Sequence, residues 1–279
     1  MNIGIVGLGL IGGSIGLKLQ KHNHIVYGIT NNGANQEKAL KRKLAHHISC
    51  DLNILKECNL IILALPIKDL INPSNELIKA IPKNTILTDV GSIKEPIVNT
   101  WEKTHPLFIG SHPMAGNEYK GVNSGDENLL NNAKWVITPT IKTNKQAIQE
   151  LSKVINSVGC EVCEASPKEH DKAVSLISHL PIFVSSCLIE TAKTNKQKRL
   201  LYLAQKLASS GFLDTSRVGG GNPDLGIDIA SYNQQYLLEA LQLFRENIIS
   251  IEKLIEAKNW NSLHKKLQEN KESRIKFCK

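Results

Sequence analysis

An α/β architecture, with a mainly parallel sheet covered by helices and then an all-helical half, is predicted by three features of this sequence. Apolar strands alternate with helical segments up to about residue 165, strand signals then vanish, and the first strand runs directly into a glycine turn. That strand is Asn2-Ile3-Gly4-Ile5-Val6 and the turn is Gly7-Leu8-Gly9-Leu10-Ile11-Gly12. The helix that begins there keeps Ile11, Ile15 and Leu19 on one stripe and Lys18 and Lys21 off it. In a G-x-G-x-x-G so placed, Gly7 permits the tight turn, Gly9 leaves room for a pyrophosphate, and Gly12 lets helix and strand pack closely. The helix amino-terminus adds unpaired N–H groups and a positive dipole end. Such a turn can also simply join a strand to a helix. Its position between the two selects a dinucleotide, with Gly7, Leu8, Gly9, Leu10, Ile11 and Gly12 as the expected contacts of a Rossmann-type sheet.

The second strand, Ile25-Val26-Tyr27-Gly28-Ile29, ends in Thr30-Asn31-Asn32, and no Asp or Glu occurs between Gly12 and Glu37. NAD-binding units usually place a carboxylate there for the ribose 2′-hydroxyl. A carboxylate would repel a 2′-phosphate, so its absence favours NADP, with NAD as the alternative. Thr30 and Asn31 are the expected neutral donors, and Lys38 or Arg42 follows on the next helix.

Further strands are expected at 60–64, 85–89, 108–111, 135–138 and 161–163, with helices near 35–44, 68–80, 94–103 and 144–158. Segment 115–134 is polar and glycine-rich and reads as a loop excursion. At Ser166-Pro167-Lys168-Glu169 the character changes: Ser as N-cap, Pro at the first helical position and Glu at the third start a helix. Helices are expected over 167–193, 196–210 and 225–257, with a short one near 260–270. Two domains follow, a dinucleotide-binding domain over 1–165 and a helical domain over 166–279. In the long helix Ile229, Leu237, Leu241, Phe244, Ile248, Ile251 and Ile255 form an apolar stripe, suited either to a second subunit or to the core of its own domain.

The 279 residues suffice for two modest domains. No stretch is read as the roughly 18 apolar residues of a membrane span. With no export signal at the amino-terminus, a cytoplasmic enzyme is expected. The net charge of +8 suits anionic ligands, or a solvated lysine-rich surface. Basic residues are dispersed and aromatics few, which argues against nucleic acid. The six cysteines (50, 58, 160, 163, 187, 278) form no framework. Cys160-Glu-Val-Cys163 reads as a short strand with buried thiols, and no metal site is expected.

In such sheets ligands lie beyond the carboxyl ends of the strands. Leu65-Pro66 follows one strand and is placed to brace the cofactor. Val90-Gly91-Ser92-Ile93-Lys94 follows the next, and His112-Pro113-Met114-Ala115-Gly116 the third. A histidine at a strand end is placed to act as a general base, because it titrates near working pH. Asp171, Ser175 and His179 share one helix face ahead of Pro181, which removes a backbone hydrogen bond and is expected to kink the helix. Ser209 to Pro223 carries one arginine, Arg217, among hydroxyls and glycines. It reads as a carboxylate clamp, or as an arginine bridging an aspartate.

Taken in order, Gly7–Gly12, Val90-Gly-Ser92-Ile-Lys94, Gly110-Ser-His112-Pro-Met-Ala-Gly116, Ser178-His179-Leu-Pro181 and Ser210-Gly-Phe-Leu-Asp-Thr-Ser-Arg217 resemble the prephenate/arogenate dehydrogenase family of tyrosine biosynthesis, in its short, free-standing form. The resemblance implies oxidative decarboxylation of a cyclohexadiene, arogenate or prephenate, with hydride transfer to a nicotinamide. It implies His112 as base, Ser92 beside base, substrate and nicotinamide, and Arg217, His179 and Thr215 around the substrate. It also places Met114 with Leu65 and Pro66 at the cofactor, and pairs helical domains into a homodimer. The alternatives are another two-domain reductase, such as a pyrroline-5-carboxylate reductase, and a non-enzymatic nucleotide-binding protein.

Overall fold

The computed structural model describes residues 1–117, 119–194 and 197–277. Cys278 lies outside them. Eight strands form one sheet: β1 (Asn2–Val6), β2 (Ile25–Ile29), β3 (His47–Ser49), β4 (Leu60–Leu63), β5 (Ile86–Asp89), β6 (Phe108–Pro113), β7 (Lys134–Thr138) and β8 (Glu161–Glu164), in the order β3-β2-β1-β4-β5-β6-β7-β8. Strands β1 to β6 pair in parallel, as expected. β7 runs antiparallel to β6, and β8 parallel to β7. The polar excursion 115–134 returns the chain along the edge of β6 without a crossover helix, and so reverses the direction. β3 was not foreseen, because three residues are too few to show a period.

Helices α1 (Leu10–Gln20), α2 (Gly33–Lys41), α3 (Ile67–Ile71), α4 (Asn75–Ala80), α5 (Glu95–Thr104) and α6 (Lys145–Ser157) cover the sheet. The expected helix over 68–80 is interrupted at Pro73, and Ser74 caps the second piece. Two apolar clusters occupy the sheet's two faces. Ile3, Ile5, Ile15, Leu19, Leu60 and Ile62 lie in one, and Val6, Ile61, Leu63, Leu87, Ile97 and Trp101 in the other. Continuous burial of β4 on both faces accounts for its unbroken apolar run.

Beyond β8 come α7 (Pro167–Val174), a π-turn over Ser175–His179, α8 (Leu180–Lys193), α9 (Lys198–Leu207), α10 (Ser210–Ser216), a short turn Arg217–Gly220 and α11 (Pro223–Tyr232). Ser166 and Glu169 form the expected capping box. The kink expected at Pro181 takes the form of the π-turn: the Leu180 N–H bonds Ser175 O, one residue further back than in an α-helix. By length and composition the 27-residue run Pro167–Lys193 would suffice to cross a bilayer, contrary to the sequence reading. Its His170, Asp171 and His179, however, are buried.

The compact unit that holds the sheet runs from Met1 to Asn233 and takes in α7 to α11; Gln234–Lys279 form a second unit. The latter is a helical pair, α12 (Gln234–Glu256) and α13 (Trp260–Phe277), turned at Lys258 and joined by Lys266 Nζ to Ser250 Oγ at 3.1 Å. The expected 225–257 helix is therefore broken at Asn233.

Candidate functional site

The glycine turn behaves as its spacing requires. Gly7 has φ +96°, and a Cβ there would lie 2.3 Å from Ala64 O. A Cβ on Gly12 would lie 1.9 Å from Gly7 O, whereas one on Gly9 would meet nothing within 4 Å. So the first and third glycines are demanded by packing, and the second leaves open space at the amino-terminus of α1. Leu8 is buried against the sheet, Leu10 and Ile11 are half-buried, and Leu65 and Pro66 follow β4, where Pro66 opens α3.

At the end of β2, Thr30 is buried, its hydroxyl 3.4 Å from Asn32 O and 3.5 Å from Cys50 Sγ. Asn31 and Asn32 are exposed, and Asn32 caps α2. Arg42, considered above for the cofactor, is committed elsewhere. Its guanidinium donates to Val122 O at 3.2 Å and Gly125 O at 2.6 Å, fastening the excursion against α1 and α2.

The chemistry gathers where β5, β6 and α7 meet. Asp89 ends β5 fully buried; it accepts from Gly91 N at 2.8 Å and Ser111 N at 3.1 Å and pairs with Lys94 Nζ. Lys94 also donates to Ser111 O at 2.6 Å. Burial pulls both members of this pair toward their neutral forms, and their mutual attraction opposes it. The Ser111 hydroxyl donates to Asp89 O at 2.6 Å and accepts from the Trp135 indole at 2.9 Å. This lattice holds the strand immediately before His112.

His112 Nδ1 lies 2.9 Å from His170 Nε2, and His170 Nδ1 lies 2.7 Å from Asp171 Oδ1. The Asp171 carboxylate accepts from Lys94 N at 2.7 Å and Glu95 N at 2.8 Å, the amino-terminus of α5. A helix end thus receives an anion from α7, with a favourable dipole. Burial first, then the His170, Lys94 and His179 charges, hold His112 well below the ordinary histidine range. His179 is fully buried and lowered to about 4, chiefly by burial. Its Nδ1 lies 3.0 Å from Asn233 Nδ2, which also donates to Asp171 O at 3.0 Å.

Two buried polar atoms near this line, Ser92 Oγ and His179 Nε2, have no hydrogen-bond partner among the described residues. Unpaired groups of that kind cost free energy unless a ligand meets them. Arg217 is exposed on the turn that docks on α8, where Gly219 N donates to Ser185 Oγ at 2.8 Å. It forms no salt bridge among the described residues, so the alternative of an arginine bridging an aspartate is not seen. Thr215 is exposed and its hydroxyl donates to Gly211 O at 2.8 Å, within its own helix. Met114 is half-buried, and its N–H donates to Lys134 O at 2.8 Å.

His112, His170, Asp171, Asn233 and His179 are joined by hydrogen bonds; among the described residues no such bond brings Thr215 or Arg217 to them. The sequence reading missed His170 and Asn233. The signal for His170 was the His170-Asp171 pair behind the capping box. Asn233 had only its place as a polar interruption of a long apolar stripe.

A family model described as prephenate dehydrogenase, nucleotide-binding domain, matches residues 15–164, and one described as prephenate dehydrogenase, dimerization domain, matches 166–269. A prephenate dehydrogenase of Bacillus subtilis is 31% identical over 97% of this chain and 74% of its own length. The crystal structure of Synechocystis arogenate dehydrogenase is 40% identical, with a TM-score of 0.85 over 99% of this chain and 100% of that one. The prephenate dehydrogenase of Aquifex aeolicus, solved with hydroxyphenyl propionate and NAD+, is 26% identical, with a TM-score of 0.91 over 99% and 98%.

Proposed function

The chain belongs to the prephenate dehydrogenase family, and from that premise we propose that it oxidatively decarboxylates arogenate, with prephenate as the alternative substrate, passing hydride to NADP. The observation that carries the assignment of roles is the line from Asp171 through His170 to His112, beside two unpartnered polar atoms. The bound nicotinamide supplies the hydride acceptor. His112 takes the ring-hydroxyl proton at Nε2, the nitrogen that His170 leaves free. Its depressed basicity keeps it neutral and ready at ordinary pH. Release of the ring carboxylate as carbon dioxide aromatises the ring, and no residue is needed to drive that step. The unpartnered Ser92 hydroxyl orients base and substrate. His179 Nε2 and the unpaired Arg217 guanidinium receive substrate oxygens, with Thr215 at the same pocket.

Identity to the Synechocystis arogenate enzyme exceeds that to the Aquifex prephenate enzyme, which supports arogenate. Cofactor choice rests on the uncharged end of β2. The exposed Asn31 amide at the start of α2, beside the capping Asn32, suits a 2′-phosphate, and exposed Lys38 follows on that helix. We assign residues 1–165 to the dinucleotide and 166–279 to substrate and homodimer contacts, in a cytoplasmic enzyme. Another two-domain reductase, or a non-enzymatic nucleotide binder, has no support from family models that cover both halves.

The test crosses arogenate and prephenate with NADP and NAD, following reduced nicotinamide by absorbance. Arogenate with NADP should give the highest kcat/KM. A higher value for prephenate, or for NAD, overturns that half of the assignment, and no reduction in any combination overturns the activity. With the productive pair, Arg217→Ala should raise KM about tenfold or more with a smaller change in kcat, as loss of a charged hydrogen bond predicts. An unchanged KM would return Arg217 to a structural role.

A further inference from the structure

We propose that Asp171 is a positioning residue that gives the two site histidines opposite hydrogen-bonding polarity, so that His112 presents a bare Nε2 lone pair and His179 presents an Nε2–H. The catalytic use of that polarity rests on the dehydrogenase reading above; the polarity itself follows from the bonding. The Asp171 carboxylate accepts from two backbone N–H groups, Lys94 and Glu95, and can only accept from His170 Nδ1 as well. His170 therefore carries its proton on Nδ1, and in the neutral ring Nε2 is a lone pair. That lone pair faces His112 Nδ1 at 2.9 Å. Two lone pairs do not bond, so His112 Nδ1 carries the proton and its Nε2 is the acceptor.

The second branch starts from the backbone of the same residue. Asp171 O accepts from Asn233 at 3.0 Å, which fixes the Asn233 amide with its nitrogen, not its oxygen, on that side. The same nitrogen lies 3.0 Å from His179 Nδ1, which must then accept. The neutral His179 ring keeps its proton on Nε2, the buried atom without a partner. One residue thus sets both rings, the carboxylate making a base and the carbonyl making a donor. A proton leaving a substrate hydroxyl has a place to go, and an oxygen of the same substrate has an N–H to rest on. After transfer, the His112 Nδ1–H points along His170 toward the Asp171 anion, which steadies the new positive charge. The arrangement holds with His170 neutral. A proton on its Nε2 would reverse the first branch; Asp171 on its own helix is the carboxylate facing that ring, and His112 and His179 are the titratable groups set against it from β6 and the π-turn.

Long-range proton–nitrogen NMR of the full chain with ¹⁵N-histidine, above neutral pH and without substrate, reads the tautomers directly. Signals are assigned by their loss in His112→Gln and His179→Gln. The expected spectrum shows His112 protonated on Nδ1 and His179 on Nε2. Both rings in one tautomer, or the reverse pair, overturns the proposal. Asp171→Asn can turn an amide N–H toward His170 Nδ1, so it should convert His112 to the Nε2–H form and lower kcat about a hundredfold or more, with the cofactor Kd unchanged. Parental tautomers in that variant, or kcat within about threefold, overturn it as well. If Asp171→Asn fails to fold, His170→Gln leaves the α5 cap in place. It should abolish the Nδ1 preference of His112 with a comparable loss of kcat, and an unaltered His112 spectrum counts against the proposal. Because the tautomers are read without substrate, their failure leaves the dehydrogenase assignment standing, and failure of that assignment leaves them standing.

Discussion

For His112, the proposed base, the surroundings make the charged form costly. Burial and the neighbouring His170, Lys94 and His179 all disfavour the imidazolium, so the ring is neutral well below the pH at which a free histidine half-titrates. The acid limb of kcat/KM attributable to this ring should therefore fall below the ordinary histidine range. A limb centred on the free-histidine value would show that another group limits the reaction. His112→Asn should reduce kcat by about 10²–10⁴-fold with cofactor affinity retained, and near-parental turnover would remove it as base. The places of His112 and Ser92 were legible because both stand at or just beyond strand ends, where sheets of this kind present ligands. His170 was not. It lies 58 residues from its partner, on a helix whose pattern records only which side is buried. Thr30 shows the opposite limit: its place at the end of β2 was readable, and the inward turn of its hydroxyl was not.

Among the elements, the segment α7–π-turn–α8 carries most of the site's polar burial. Pro181 has no N–H to give and its ring crowds the preceding turn, so the helix widens at Ser175–His179. The sequence announced the disturbance through the proline, but not its form. Asn233 ends α11 because its side chain is taken by Asp171 O and His179, a tertiary demand that overrides the apolar stripe on either side. A buried His179 titrating at about 4 makes this region acid-sensitive. Its folded-state pKa lies below the ordinary value of about 6.5, so the unfolded chain binds the proton first as pH falls. Stability should be flat, from this group, above the unfolded value. It should then decline as pH drops toward the folded one, by about 3 kcal/mol in total, and His112 acts in the same direction. Urea unfolding across that range measures the slope. Equal stability at both ends would mean that the ring is solvated in the folded protein.

For the molecule as a whole, the alternation of strands and helices up to residue 165 and the purely helical remainder were legible from periodicity, because both faces of the sheet bury apolar residues. The direction of β7 was not, since pairing direction leaves no mark on a short apolar strand. The helices also expose apolar side chains that one chain leaves uncovered. α9 has no buried residue, yet Leu200, Leu203 and Leu207 follow one another along it at helical spacing, and Leu213 is exposed on α10. In the second unit, α12 exposes Leu238, Leu243, Ile248, Ile249 and Ile255. Covering what remains exposed of one such leucine contributes about 1 kcal/mol, so the proposed homodimer needs many of these side chains from both copies to outweigh the cost of association. Placing a charge in that face at Leu203 would put an unpaired ammonium into the contact, at a cost of several kcal/mol. Leu203→Lys should therefore sediment as a monomer under conditions where the parent chain sediments as a dimer. Its circular dichroism should stay parental, because the side chain is exposed within its own chain. A parent that sediments as a monomer, or a variant that stays dimeric, would show that α9 does not hold two copies together.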